Sequence, residues 1–336
     1  MEARAYWVAE PGRGEIRTVQ VPEPAGGEVL VRTLCSGISR GTETLVFRGG
    51  VPESQYATMR APFQDGEFPG PVKYGYLNVG VVERGPADLR GQRVFCLYPH
   101  QTGYVVPAGA ATLVPEDVPT TRAVLAGTVE TAVNALWDAQ PLVGDRVAVV
   151  GAGMVGCCLA RLLARLPGAD VVLVDVDASR ADTAAALGVR FALPEDAPGG
   201  RDLVLHTSAT SAGLQRALDL LRPEGTVVEL SWYGDAEVRL DLGGAFHAQR
   251  LGVRASQVGT VAAARRGHRS ASERLALAMR LLRDPAFDAL LTGASPFEEL
   301  PEVMARLTDR RLPALCHTVS YGEGEVPCSA SPSATT

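Results

Sequence analysis

The sequence predicts an α/β protein: a doubly wound parallel sheet, with a separate β-rich region ahead of it. Three observations carry that expectation. From about residue 121 onward, apolar β-branched runs alternate with Ala/Leu/Arg-rich segments of helical period, the alternation that builds a parallel sheet covered by helices on both faces. Residues 1 to about 115 are instead dense in Gly and Pro and broken into short β-branched runs, a texture of irregular antiparallel structure. The length of 336 residues is enough for about two compact domains at roughly 150 residues each.

In chain order, the first strands fall at Glu28-Val29-Leu30-Val31-Arg32, Val79-Gly80-Val81-Val82 and Arg93-Val94-Phe95. The parallel sheet is expected from strands at 146–151, 170–175, 202–207, 225–231 and 252–258. Between the first two lies Met154 to Leu166, whose Val155, Leu159, Leu162, Leu163 and Leu166 recur at helical spacing and predict a crossover helix. Glu273 to Arg283 places Leu275, Ala278, Met279 and Leu282 on one face before Asp284-Pro285 stops it. A helix from Glu298 to Leu307 and a strand from Leu315 to Tyr321 follow, and 323–336 reads as a disordered Ser/Pro/Ala/Thr tail. The expected division is 1–120 for the first part of the β-rich domain, 121–284 for the parallel-sheet domain, and 285–322 for a return to the first domain.

Hydrophobic residues make up 46% and charged residues 21% of the chain, ordinary globular usage that excludes a fibrous repeat. Lys plus Arg number 32 against 38 Asp plus Glu, a net charge of -6. The chain therefore lacks the positive field that nucleic acid or an anionic membrane would need as a partner. Glu2, Arg4 and Glu10 interrupt the apolar stretch a signal peptide requires. No run approaches the roughly 20 apolar residues that span a bilayer. The 6 cysteines contain no C-x-x-C pair, as expected of reduced thiols in the cytoplasm.

The strongest motif is Arg146-Val-Ala-Val-Val-Gly151-Ala-Gly153-Met154-Val155-Gly156, a strand entering G-x-G-x-x-G and then a helix, the Rossmann dinucleotide turn. Gly151 permits the tight turn, Gly153 admits a pyrophosphate against the backbone, and Gly156 allows close helix–strand packing. The amides around Met154 and Val155 then face the negative charge. About 20 residues on, Asp175 ends the second strand, where a carboxylate accepts hydrogen bonds from the adenosine ribose. A carboxylate about 4 Å from a 2′-phosphate repels it by roughly 4 kcal/mol per unit charge at an effective dielectric near 20, so NAD is expected over NADP. Arg180 is the residue that could pair with a phosphate and temper that preference.

Together these features resemble the medium-chain dehydrogenase/reductase superfamily, best known for the zinc alcohol dehydrogenases, over about residues 1–320. Gly26-Gly-Glu-Val-Leu-Val-Arg32, Gly37-Ile-Ser-Arg-Gly-Thr-Glu43, Gly75-Tyr-Leu-Asn-Val-Gly-Val-Val82 and Gly127-Thr-Val-Glu-Thr131 look like its successive motifs. The block Ser39-Arg-Gly-Thr-Glu43 is similar to the branch of bacteriochlorophyllide hydroxyethyl dehydrogenases. The resemblance implies that the β-rich region is a GroES-like catalytic domain. Yet the cysteine expected in the first zinc motif is Ser39, or Arg40 with an insertion. The histidine of the G-H-E motif is Tyr76, and the third ligand falls near Gly127. Loss of soft and imidazole donors at all three predicts no catalytic zinc. The four-cysteine structural zinc lobe is absent too. Cys96 and His100, the one nearby pair of ligand types, read as a packed thiol and a surface imidazole.

What remains for chemistry follows from the same resemblance. Ser39 and Tyr76 occupy ligand positions and are expected to face the substrate, Ser39 as hydrogen-bond donor and Tyr76 as donor or acid. The alternatives are a turn serine and a shape-filling aromatic. Arg40 is expected on the cofactor pyrophosphate and Thr131 against the nicotinamide from a helix start. Ser208 and Trp232, just after strands, lie at the carboxyl edge where such sheets bind ligands, and are expected at the cofactor, with core packing the alternative for Trp232. Glu130 is either a general base or a solvated, helix-capping carboxylate. Cys157 and Cys158 read as packing residues, and His206 as a satisfied core histidine. Phe47, Tyr56, Met59, Phe63 and Phe68 could wall a pocket for a flat ring or form a structural flap. The expected activity is zinc-independent hydride transfer between NAD(H) and a secondary alcohol or carbonyl, with a flat heterocycle as a possible small-molecule substrate. A reductase of an activated C=C bond and a non-catalytic redox sensor are the alternatives. A homodimer is the expected assembly.

Overall fold

The computed structural model describes residues 1–322, so the tail assigned to 323–336 lies outside the described residues. The chain forms two compact units. One takes Met1–Gly127, Met279–Arg283 and the chain from Leu291 on; the other takes Thr128–Ala278 and Asp284–Leu290.

The first unit opens on an antiparallel hairpin, β1 (Glu2–Glu10) with β2 (Arg13–Gln20), paired from Glu2↔Gln20 to Glu10↔Arg13. Ala3, Ala5 and Val8 are buried while Glu2, Arg4 and Glu10 face out, so the charges that break an apolar leader here mark one strand face. β3 (Glu28–Ser39) is the organising strand: twelve residues, nearly all buried from Val29 to Ile38. It runs straight into helix α1 (Arg40–Phe47). Two short strands, β4 (Asp65–Gly66) and β5 (Val72–Lys73), extend the hairpin sheet in the order β2-β1-β5-β4. β6 (Asn78–Arg84), β7 (Arg93–Cys96), β8 (Gly103–Pro107) and β9 (Thr112–Leu113) then build a larger sheet around β3. Its core is Val29, Val31, Val82, Val94, Tyr104 and Val106.

After α2 (Thr120–Ala123) and α3 (Ala126–Ala139), the second unit holds six parallel strands. They are β10 (Arg146–Val150), β11 (Asp170–Val174), β12 (Arg190–Ala192), β13 (Arg201–His206), β14 (Leu221–Glu229) and β15 (Gly252–Ala255). Helices α4 (Met154–Leu163), α5 (Arg180–Ala186) and α6 (Ser211–Asp219) serve as connections. The spatial order β12-β11-β10-β13-β14-β15 reverses between β10 and β13, the switch point where doubly wound sheets bind ligands. The central strands are buried on both faces, with Ala148, Val172, Val204 and Val227 at 0% exposure. Fully burying each such valine is worth about 1.5–3 kcal/mol.

Several boundaries differ from the sequence expectation. β12 was not anticipated: three residues between Gly188 and Pro194 are too few to show a period, and pairing with β11 creates the strand. β14 starts at Leu221, earlier than residue 225, because Leu221 pairs with Arg201 across a register irregularity. β15 stops at Ala255. α4 ends at Leu163, short of Leu166, ahead of Pro167-Gly168. α7 (Ala271–Leu281) begins before Glu273 because Ser270 and Glu273 close a reciprocal cap: Ser270 N donates to Glu273 Oε2 (2.8 Å) and Glu273 N donates to Ser270 Oγ (3.1 Å).

The return to the first unit adds β16 (Leu291–Pro296), α8 (Leu300–Thr308) and β17 (Cys316–Ser320). The helix expected at Glu298–Leu307 is a 3₁₀ turn at Phe297–Glu299 followed by α8, with Pro301 in its first turn. β17 pairs antiparallel with β3, Cys316 opposite Ser39. No helix among the described residues is long and apolar enough to cross a membrane. Cys35, Cys96, Cys157, Cys158 and Cys316 are buried thiols.

Candidate functional site

The glycine turn between β10 and α4 gives each glycine a separate physical task. Gly151 sits at φ +109°, and a Cβ there would stand 2.7 Å from both Ser208 N and Thr207 Oγ1, so only glycine fits. A Cβ on Gly156 would lie 1.8 Å from Gly151 O, which places α4 directly on the turn. A Cβ on Gly153 would meet nothing within 4 Å among the described residues. That open side is where a ligand can approach the backbone. The amides of Met154, Val155 and Gly156 precede the first helical bond, Cys157 N to Gly153 O at 2.9 Å. They form the donor set a pyrophosphate fits.

Around the turn, Asp175 follows β11 and accepts from Ala152 N (2.6 Å) and Asp177 N (2.9 Å), tying the carboxylate to the glycine turn itself. Arg180 opens α5 and pairs with Asp177 at 3.3 Å. Thr207 holds the turn by donating to Gly151 O (2.8 Å), a role with no signal in the sequence. Ser208 lies half-buried between β13 and α6, and Trp232 half-buried beyond β14. Thr131 belongs to the second turn of α3, which begins at Ala126, so it does not stand at a helix start as expected.

Glu130 corrects the sequence expectation. It is neither solvated nor capping: it is buried and accepts from Arg274 Nε at 3.0 Å. Burial pushes its carboxyl upward while Arg274 pulls it down, and burial prevails. Cys157 is likewise pushed up by burial, to about 12, which makes it an inert packing thiol. His206 is fully buried at the end of β13, with Nδ1 2.6 Å from Glu229 Oε2 and Nε2 2.6 Å from Ser208 Oγ.

In the first unit the structure brings Ser39 and Tyr76 together: Tyr76 OH donates to Ser39 Oγ at 2.7 Å. Ser39 sits at the cap position of α1 but makes no side-chain cap; instead its backbone N–H donates to Glu43 Oε1 at 2.7 Å. The serine hydroxyl makes no cap and meets Tyr76 instead. Burial pushes the Tyr76 phenol up to about 12, so it stays a neutral donor near pH 7. Its ring is held edge-on by Tyr74, which packs on Phe68, which packs on Tyr56. The aromatic segment thus reaches Tyr76 by ring-to-ring contact. Arg40 opens α1 beside this pair and donates from Nη1 to Ala314 O at 3.3 Å.

Behind the pair lies a buried network the sequence did not reveal. Glu43 Oε2 lies 2.8 Å from His100 Nε2; His100 Nδ1 is 2.7 Å from Ser36 Oγ, which is 2.8 Å from Tyr321 OH. His100, expected at the surface, is 1% exposed. The only advance sign was Glu43 four residues after Ser39, within one turn.

At the three positions the resemblance assigns to zinc, the donors do not fit the metal. Ser39 and Tyr76 offer hydroxyls bonded to each other, and Gly127 stands so close to Leu77 that even a Cβ would lie 2.7 Å from its Cδ2. Both ring nitrogens of His100 are engaged with protein partners, and burial pushes Cys96 up to about 12. Among the described residues no group of three His, Cys, Asp or Glu is placed to hold a metal ion.

Comparison with solved structures decides the fold. L-idonate 5-dehydrogenase of Escherichia coli K-12 matches with TM-score 0.78 at 16% identity, over 96% of this chain and 99% of that one. An alcohol dehydrogenase of Escherichia coli CFT073 complexed with NADH matches with TM-score 0.75 at 17% identity, over 95% and 99%. The chain has the medium-chain dehydrogenase/reductase fold. In sequence it is 31% identical over 203 residues to 2-desacetyl-2-hydroxyethyl bacteriochlorophyllide A dehydrogenase of Cereibacter sphaeroides, covering 54% of this chain and 58% of that protein. The chain spans about six-tenths of the length of the curated relatives it matches. Residues 147–221, from β10 to the start of β14, also match the family model described as ketopantoate reductase PanE/ApbA.

Proposed function

We propose that this chain, with its medium-chain dehydrogenase/reductase fold, transfers a hydride between NAD(H) and a secondary alcohol or its carbonyl, with hydroxyl groups taking the place of zinc at the substrate oxygen. The observation that carries the reading is the Tyr76–Ser39 hydrogen bond at two positions where the resemblance expects metal ligands. The likeness to the 2-desacetyl-2-hydroxyethyl bacteriochlorophyllide A dehydrogenase of Cereibacter sphaeroides supports a hydroxyethyl-type secondary alcohol as substrate.

When bound, the dinucleotide supplies the hydride donor or acceptor. The amides of Met154, Val155 and Gly156 hold its pyrophosphate, and Asp175 favours a ribose hydroxyl over a 2′-phosphate. Tyr76 donates to Ser39, which leaves the Ser39 hydrogen for the substrate oxygen. As negative charge grows on that oxygen, Ser39 Oγ–H donates to it and Tyr76 OH donates to Ser39 Oγ, both staying protonated, and water supplies the proton that completes the alcohol. In the direction of alcohol oxidation the alcohol proton leaves to water while the same two hydrogen bonds hold the oxygen. A single positioned donor of this kind is worth roughly 10²–10³ in rate.

The test is an NADH absorbance assay with secondary alcohols, ketones and enones, before and after exhaustive chelation, alongside metal analysis. Chelator-insensitive turnover of alcohols and ketones is the expected result. Turnover of enones alone would make the chain a C=C reductase, and tight NADH binding without turnover across the panel would make it a sensor.

A further inference from the structure

The second unit contains a side-chain constellation beside the dinucleotide turn, with Ser208 N close against Gly151. His206 and Glu229 end the neighbouring strands β13 and β14 in direct register. Glu229 Oε2 lies 2.6 Å from His206 Nδ1 and accepts from Tyr233 OH (2.9 Å), while its Oε1 accepts from Ser231 N (2.7 Å). Burial raises the Glu229 carboxyl, but the bonds from His206 and Ser231 outweigh it and leave the group below its ordinary range. An ionised carboxylate with these donors fixes a proton on His206 Nδ1. In the neutral ring Nε2 is then an acceptor, and it stands 2.6 Å from Ser208 Oγ. Thr210 Oγ1, which accepts from Gly213 N (3.0 Å), completes the chain at 3.0 Å from Ser208 Oγ.

Three features distinguish this from a satisfied core histidine. Ser208 is half-buried and lies on the strand-to-helix turn at the carboxyl edge of a parallel sheet, where such turns present nucleophiles. Ala209, immediately after it, is held at φ +53°, a strained conformation for a residue with a side chain. Gly213 makes room for the cluster: a Cβ there would lie 2.1 Å from Ser208 Oγ, 2.8 Å from His206 Nε2 and 2.9 Å from Thr210 Oγ1. The amides of Ser211 and Ala212 open α6 ahead of its intrahelical bond from Leu214 N to Thr210 O.

We propose that Ser208, His206 and Glu229 form an acyl-transfer site in which Ser208 Oγ is the nucleophile toward small activated esters. Oγ bonds to the acyl carbon while its proton passes to His206 Nε2. The ester C–O bond then breaks, and the same proton leaves with the departing alcohol, so the products are acyl-Ser208 and one alcohol. Glu229 acts through His206 as a positioning residue. Hydrolysis of the acyl group needs water to deliver its proton to His206 Nε2, and that side chain is 0% exposed. The acyl-enzyme therefore accumulates, and the signature is a stoichiometric burst with slow turnover after it.

The experiment mixes the full chain with 4-nitrophenyl acetate, follows 4-nitrophenolate release, and locates the acetyl group by peptide mass spectrometry. A fluorophosphonate probe is run in parallel. The expected result is a burst approaching one equivalent per chain, with both labels on Ser208 and both lost in Ser208→Ala. Glu229→Gln, which disturbs the tautomer rather than the nucleophile, should slow the burst by ~10²-fold or more while Ser208 stays in place. His206→Gln alters a buried group, so it is read only if its thermal melt matches the parent chain. The proposal is overturned if Ser208 carries no label, if labelling spreads over other residues at the rate seen in Ser208→Ala, or if a folded Glu229→Gln variant acylates as fast as the parent.

Discussion

Replacing Ser39 by alanine removes one hydroxyl and isolates one claim. In the structure that hydroxyl accepts from Tyr76 at 2.7 Å, while the serine's backbone N–H, not its side chain, is bonded to Glu43. The substitution therefore leaves the start of α1 capped. Its effect on folding is limited to one partly solvated hydrogen bond, about 0.5–1.5 kcal/mol. On the proposed role of Ser39 as donor to the substrate oxygen, the effect on the reaction should be much larger: roughly 10²–10³ in kcat, or about 2.7–4 kcal/mol of transition-state stabilisation. Dinucleotide binding depends on the glycine turn of the other unit and should not change. Steady-state NADH oxidation with a ketone gives kcat, and quenching of protein fluorescence by NADH gives Kd. An unaltered kcat, or a Kd weakened in step with kcat, would refute the assignment of Ser39 as the oxygen's donor.

Three more outcomes are expected. Gly153→Ala should leave the melting temperature within the effect of about 0.5 kcal/mol, since its Cβ enters open space, yet weaken NADH binding at least about tenfold; Gly156→Ala, forced against Gly151 O, should lose stability by about 1–3 kcal/mol. Asp175→Asn removes the charge that opposes a 2′-phosphate, and the ratio of NADPH to NADH affinity should rise about tenfold or more in paired titrations. Tyr76 is raised from 10.0 to about 12; above pH 10 the unfolded chain loses that proton while the folded one keeps it. Stability should therefore fall between pH 10 and 12, by up to about 2–3 kcal/mol from this group, and Tyr76→Phe should flatten that part of a urea-denaturation series.

The glycine turn, its strand and its helix were legible in the sequence because each is local. β-branched residues precede three glycines whose steric tasks are set by neighbours a few positions away, and an apolar helical stripe follows. The sheet strands at 146–151, 170–175 and 202–207 were readable for the same reason. β12 was not, since three residues carry no period and exist as a strand only by pairing with β11. The pairing of Tyr76 with Ser39 spans residues 37 apart in the chain, and that of Glu43 with His100 spans 57. Ser39 alone reads equally as a substrate-facing donor or a turn serine; its partner becomes visible only when Tyr76 arrives from another segment.

Glu130 and His206 make the same point from opposite sides. Both stand on recognisable elements, but whether a carboxylate is solvated or an imidazole isolated depends on which partner the fold delivers. Arg274 reaches Glu130 from α7, and β14 carries Glu229 to His206. The amino-acid order determined the dinucleotide turn and the succession of strands and helices, because hydrophobic period and glycine stereochemistry act over a few residues. The tertiary structure alone decided which hydroxyls, carboxylates and imidazoles share protons, because those contacts need a fixed register between segments far apart in the chain and a low-dielectric interior that makes each hydrogen bond selective.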